Sequence, residues 1–160
     1  SNIQFPLFTE EFSKEEFERQ IAAGNLLEYA EFVGNYYGTP KDKVEEQLNK
    51  GKEVILEIEV NGALQVRDKC KDAVFIFLVP PTRRALYDRL KSRGTECEER
   101  ILARINKANK EFRLAHQYDY IVVNDEIYNA ADRIMAIIRA EHAKTFRSIH
   151  EYLKLIEEEK

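Results

Sequence analysis

Apolar and polar residues alternate from Glu53 to Val60, run unbroken from Val74 to Val79, and recur at helical spacing from Ile127 to Ile156. The alternating stretch, EVILEIEV, puts Val54, Leu56, Ile58 and Val60 on one face of a predicted strand and Ile55, Glu57 and Glu59 on the other. DAVFIFLVPP predicts a strand buried on both faces of a parallel sheet, ended by two prolines. Tyr118 to Val123, YDYIVV, predicts a third strand, followed by Asn124 and Asp125. Upstream, Ser13 to Gly24 predicts a helix, with Ser13 at the N-cap, Glu16 three residues on and Gly24 as its stop. LLEYAEFVGNYYGTP then predicts two short strands, Leu26 to Phe32 and Tyr36 to Thr39, joined by a VGN turn. A second helix follows, with Pro40 near its first turn and Gly51 at its end.

Helices are predicted between the later strands at Gly62 to Asp68, Pro81 to Ser92 and Glu96 to about His116. The C-terminal run from Glu126 to about Glu157 keeps an apolar stripe of Ile127, Ala131, Ile134, Ile138, Ile149, Leu153 and Ile156. Strands alternating with helices of this length imply right-handed crossovers and an α/β protein with a parallel sheet. Ligands of such sheets sit beyond the carboxyl ends of the strands. Glu57 and Glu59, Pro80 and Pro81, and Asn124 and Asp125 all lie at or near such ends.

The 160 residues suffice for one domain with a core, and 44% hydrophobic with 34% charged residues describes a soluble globular chain. The net charge of −4 provides no global basic field, which argues against nucleic acid as a partner. No apolar run is long enough to span a bilayer, so no membrane partner is expected. Cys70 and Cys97 match no metal or redox spacing and read as reduced cytoplasmic thiols.

Three groups of side chains carry candidate chemistry. Arg89 and Arg93 are four residues apart, as are Arg100 and Arg104, and they bracket the Gly-Thr break in SRGTE. Two helices joined at such a break, each presenting Arg, suit a flap closing over phosphates, because a guanidinium donates to two phosphate oxygens and stays charged. A solvated face bridged to Glu96, Glu98 and Glu99 is the competing reading. Glu57 and Glu59, two apart on one strand, would hold their carboxylates about 6.5–7 Å apart along the backbone. That suits a water-ligated Mg²⁺, with Glu57 as the water's partner, or a donor-rich ligand; a half-exposed strand face is the alternative. Finally, Glu28 lies in a strand close to Tyr36 and Tyr37. An ionised carboxylate only accepts hydrogen bonds, so it suits a purine edge with two adjacent donors, N1–H and a 2-amino group, which is guanine rather than adenine. The Thr39 hydroxyl could donate to a carbonyl such as O6, and a tyrosine hydroxyl could hold a phosphate; an ordinary hairpin with its charges outward remains open.

LLEYAEFVGNYYGTP, VILEIEVNGALQV, FIFLVPP, RLKSRGTE and YDYIVVND stand in the order and spacing of guanylate kinases, and the chain resembles the bacterial members from about Ser13 to its C-terminus. The resemblance implies a P-loop nucleoside monophosphate kinase fold with a parallel core sheet flanked by helices, a small GMP-binding subdomain and a helical lid. Residues 1–50 would belong to the GMP-binding subdomain, 51–88 and 117–160 to the core, and 89–116 to the lid. It implies transfer of a phosphoryl group from ATP to GMP with Mg²⁺, in the cytoplasm and in purine metabolism. Glu28 would accept from the guanine N1 and 2-amino groups, Thr39 would contact O6, and Tyr37 the GMP phosphate. Glu57 and Glu59 match the acidic pair near GMP and the metal. Arg89, Arg93 and Arg104 match the arginines that gather the transferring group, with Arg89 and Arg93 also on ATP, and Asn124 lies on the adenine side. A homo-oligomer is compatible with the long C-terminal helix. The family's G-x-x-x-x-G-K-[ST] phosphate loop has no match here, nor has its following Ser and arginine segment. The expectation is therefore an incomplete stretch of a longer enzyme that is inactive on its own. The alternative is a non-catalytic guanylate-kinase-like module holding phosphopeptides.

Overall fold

A computed structural model describes residues 10–92, 94 and 97–158. Contacts divide the chain between Ala73 and Val74 into two units.

The first unit is built on an antiparallel sheet in the order β1-β3-β2, with β1 at Glu10–Phe12, β2 at Leu26–Phe32 and β3 at Asn35–Pro40. Helix α1, Lys14–Ala22, starts as its sequence predicts: the Ser13 hydroxyl accepts from the Glu16 amide at 3.3 Å. Past its end, Gly24 takes a positive φ of 67°. Phe17 of α1 is buried between the rings of Tyr36 (4.9 Å) and Tyr29 (5.5 Å), so one face of the sheet is closed by this helix. The hairpin turns at Val33 and Gly34, both at positive φ (50° and 76°), the geometry that follows the twist of the paired strands. Helix α2, Lys41–Asn49, has Pro40 at its N-cap, which offers no side-chain bond. Asn25 supplies it instead, its Oδ1 accepting from the Asp42 amide.

The register carries one irregularity. Leu26 pairs with Pro40, but Glu28 pairs with Thr39, so Leu27 is the extra residue of a β-bulge. In a regular strand Leu26 and Glu28 would share a face. The bulge turns them apart. Leu26 packs its methyl groups over Gly38, while Glu28 points with Thr39 to the other side of the sheet.

Helix α3, Val60–Lys69, runs along β2. Gln65 accepts from the Tyr29 amide and donates to the Tyr29 carbonyl, both at 3.1 Å. Lys69 donates to the carbonyls of Leu26 and Leu27. The predicted strand Glu53–Val60 is not formed; its last residue opens α3 instead. Alternation assigns faces, but a strand exists only beside a hydrogen-bonded neighbour, and among the described residues no strand pairs with this segment. The helix predicted from Gly62 begins two residues earlier.

The second unit holds the parallel pair β4, Ile76–Val79, and β5, Tyr120–Val123, in register from Ile76–Tyr120 to Val79–Val123. Between them lie α4 (Arg83–Ser92), α5 (Glu98–Phe112) and a 3₁₀ turn at Ala115–Gln117. Phe77 is buried against the rings of Tyr118 (5.0 Å) and Phe112 (6.0 Å). Burial on both faces, predicted for β4, is only partial: Leu78 is 46% and Ile121 57% exposed. An interior strand has a neighbour on each side, whereas the described strands here have one each.

The single C-terminal helical run is two helices, α6 (Ile127–His142) and α7 (Thr145–Glu158). Glu141 anchors the break. It is buried, and it accepts from Tyr120 Oη (2.7 Å), Lys144 Nζ (2.8 Å) and Arg147 Nη2 (3.2 Å). Those bonds, led by Lys144 and then Tyr120, hold its carboxyl down at about 2 and push the Tyr120 phenol up.

Candidate functional site

The bulge at Leu27 decides what the hairpin presents. Glu28 is 7% exposed and Thr39 fully buried, and Thr39 Oγ1 donates to Glu28 Oε1 at 2.6 Å. Tyr37 pairs with Ala30, two residues along from the Glu28–Thr39 pair, so it lies on the same face. Tyr36 lies on the opposite face, packed on Phe17. Sequence alone left the two tyrosines indistinguishable; the register separates them.

Facing Glu28 is the first turn of α3. A Cβ on Gly62 would lie 2.7 Å from Glu28 Oε2, which is closer than side-chain carbons approach any atom. Oε1 thus accepts from Thr39, while Oε2 lies against the start of α3. The positive end of the helix dipole favours negative charge at that place. Sequence reasoning did not single out Gly62. Its only local signal was a glycine inside a helical stretch.

The Thr39 hydroxyl has one proton, and here it is committed to Glu28. A contact to a purine O6 would need that proton, so the two bonds exclude one another unless another donor satisfies Glu28.

Glu57 and Glu59 are both exposed. They precede α3 rather than ending a strand, and Glu59 is its N-cap residue with extended backbone (φ −67°, ψ 162°). Among the described residues no cluster of three metal-ligating side chains occurs. Mg²⁺ is commonly held by one or two carboxylates, waters and substrate phosphates. A water-ligated ion fits an exposed carboxylate such as Glu57.

In the second unit the structure brings Arg89 and Asn124 together. Arg89 Nη2 donates to the carbonyl oxygens of Asn124 (2.6 Å) and Asp125 (3.2 Å), just past the carboxyl end of β5. Arg133, which sequence reasoning missed, fixes the same turn. It grips Asp125 with both terminal nitrogens (2.8 and 3.2 Å) and donates to the Val123 carbonyl. The Arg133 bonds, followed by the Glu126 amide, depress the Asp125 carboxyl to about 2. No spacing rule connects these two residues, because the pairing crosses a strand-to-helix turn. Arg104 is exposed on α5, and Arg93 lies outside the described residues.

One unit thus holds a parallel β-pair with arginine-bearing helices, and the other an antiparallel sheet presenting a buried acceptor. The crystal structure of guanylate kinase from Anaplasma phagocytophilum is similar, with a TM-score of 0.69 at 34% identity, over 89% of this chain and 71% of that one. The guanylate kinase family model matches residues 10–141. The chain is 63% identical over 147 residues to the guanylate kinase of Onion yellows phytoplasma, covering 91% of this chain and 69% of that protein. It is 54% identical over 147 residues to that of Streptococcus mutans, covering 92% and 70%. The chain belongs to the guanylate kinase family, whose members are ATP:GMP phosphotransferases.

Proposed function

We propose that the chain works in the cytoplasm on ATP and GMP, supplying guanine recognition from its first unit and phosphate-binding arginines from its second. The observation that carries this reading is the buried Glu28–Thr39 pair. A largely buried carboxylate that accepts from one protein donor keeps acceptor capacity, and the N1–H and 2-amino donors of guanine match it. When they arrive, Glu28 no longer needs the Thr39 proton, and the hydroxyl is released to donate to O6. Adenine, with an acceptor at N1, offers neither change. Tyr37, on the same face, donates to the GMP phosphate.

Arg89, Arg93 and Arg104 neutralise the phosphoryl oxygens as charge spreads over them, and Asn124 contacts the adenine side. Phosphoryl transfer needs no protein nucleophile; positioning and charge neutralisation supply the rate. Glu57, with Glu59, would hold Mg²⁺ through water, and the ion would supply further neutralisation of phosphate charge. Residues 89–116 act as the lid over the phosphates.

Titration calorimetry with GMP and AMP tests the base-reading step. GMP should bind and AMP should bind much more weakly, and Glu28→Gln should lower GMP affinity by about 1.5–3 kcal/mol, the worth of hydrogen bonds to a charged group. Equal binding of AMP and GMP, or an unchanged GMP affinity in Glu28→Gln, overturns the assignment.

A further inference from the structure

Gly62 stands in the first turn of α3 with no need of glycine's backbone freedom. Unlike Gly24, Gly34, Gly51 and Gly94, it does not take a positive φ. Helix propensity disfavours glycine at such a position relative to alanine. What Gly62 provides is space. The volume its Cβ would fill is occupied by the Glu28 carboxylate, with Oε2 at 2.7 Å, the carboxyl carbon at 3.3 Å and Cγ at 3.4 Å.

We infer that Gly62 is a specificity-determining positioning residue: by omitting a side chain, it lets the Glu28 carboxylate stand against the start of α3 in the orientation that reads a purine's N1–H and 2-amino edge. This rests on the reading of Glu28 proposed above. Outside the backbone of α3 itself, the three nearest atoms to the added Cβ all belong to the Glu28 side chain. The easiest relief of the clash is therefore a shift of the carboxylate, which is held elsewhere by the single Thr39 bond. The cost of a methyl group falls on the orientation of Glu28 and leaves the packing of the helix intact. The 2-amino contact suffers most, because a bidentate acceptor that has tilted keeps one of its two donors more easily than both.

The experiment is calorimetric titration of the wild-type chain and Gly62→Ala with GMP and with IMP, which lacks the 2-amino group, alongside thermal unfolding of both proteins. The wild type should prefer GMP to IMP. In Gly62→Ala, GMP affinity should fall 10- to 100-fold, IMP affinity should fall less, and the preference should shrink towards one, with a midpoint within a few degrees of wild type. GMP affinity unchanged in the variant overturns the inference. So does an equal loss of GMP and IMP accompanied by a large drop in midpoint, which is the signature of a purely structural glycine. A wild-type chain that shows no preference for GMP over IMP overturns the underlying reading of Glu28, an outcome visible before the variant is examined.

Discussion

Replacing Thr39 by valine removes one hydroxyl from a fully buried position and changes little else, because the two side chains have nearly the same shape. The hydroxyl donates at 2.6 Å to a carboxylate that is itself 7% exposed, so water has little access to replace it. A hydrogen bond to a charged group contributes about 1.5–3 kcal/mol net, and stranding a buried acceptor puts the loss in the upper part of that range. Thr39→Ser keeps the donor and loses one methyl, worth about 1 kcal/mol. Valine should therefore destabilise the free protein more than serine does. In a Glu28→Gln background the bond is neutral, and Thr39→Val should cost only about 0.5–1.5 kcal/mol. Urea titration followed by tyrosine fluorescence reads these differences without interference, since the chain has eight tyrosines and no tryptophan. Serine costing as much as valine, or valine costing the same with and without the Glu28 charge, would refute the reasoning.

Two further perturbations test the frame around the site. Val33 is a β-branched residue at φ 50° and 82% exposed, so Val33→Asn should raise stability by about 1 kcal/mol without loss of packing; an unchanged or lower urea midpoint would contradict the turn geometry. Glu141 has its carboxyl lowered from 4.5 to about 2, so its contribution is full above pH 4.5 and is lost as pH falls towards 2. With screening at half-exposed Lys144 allowed for, that contribution is about 1–3 kcal/mol, and Glu141→Gln should flatten stability across this window as followed by circular dichroism.

What could be read from the sequence was what residues close together determine. The Ser13–Glu16 cap, the helix stops at Gly24 and Gly51, and the hairpin over Leu26 to Pro40 each depend on a few adjacent residues. The strand at Glu53–Val60 failed because pairing depends on a neighbour that alternation does not reveal. The break between α6 and α7 has no Gly or Pro to signal it; Glu141, with Tyr120, Lys144 and Arg147, holds that corner through contacts that sequence does not display. The site divides in the same way. Glu28 and Thr39 stood out by residue type as a possible acceptor and donor, and the structure pairs them, but which tyrosine shares their face, the bulge that turns Glu28 from the Leu26 side, and the glycine that makes room for it were not legible. Arg133 was hidden for the same reason as Glu141.

The Gln65 amide has a consequence beyond packing. β2 lies at the outside of its sheet, and the Tyr29 amide and carbonyl on that side are both satisfied by this one side chain. An open strand of this kind is a template on which another chain can add and aggregation can start. Gln65 closes it by imitating the peptide group of a neighbouring strand, and Lys69 covers the carbonyls of Leu26 and Leu27. Because Gly62 sits on the same helix, losing α3 would take away both the seat of Glu28 and the guard against self-association. Loss of substrate discrimination and loss of solubility would then arrive together.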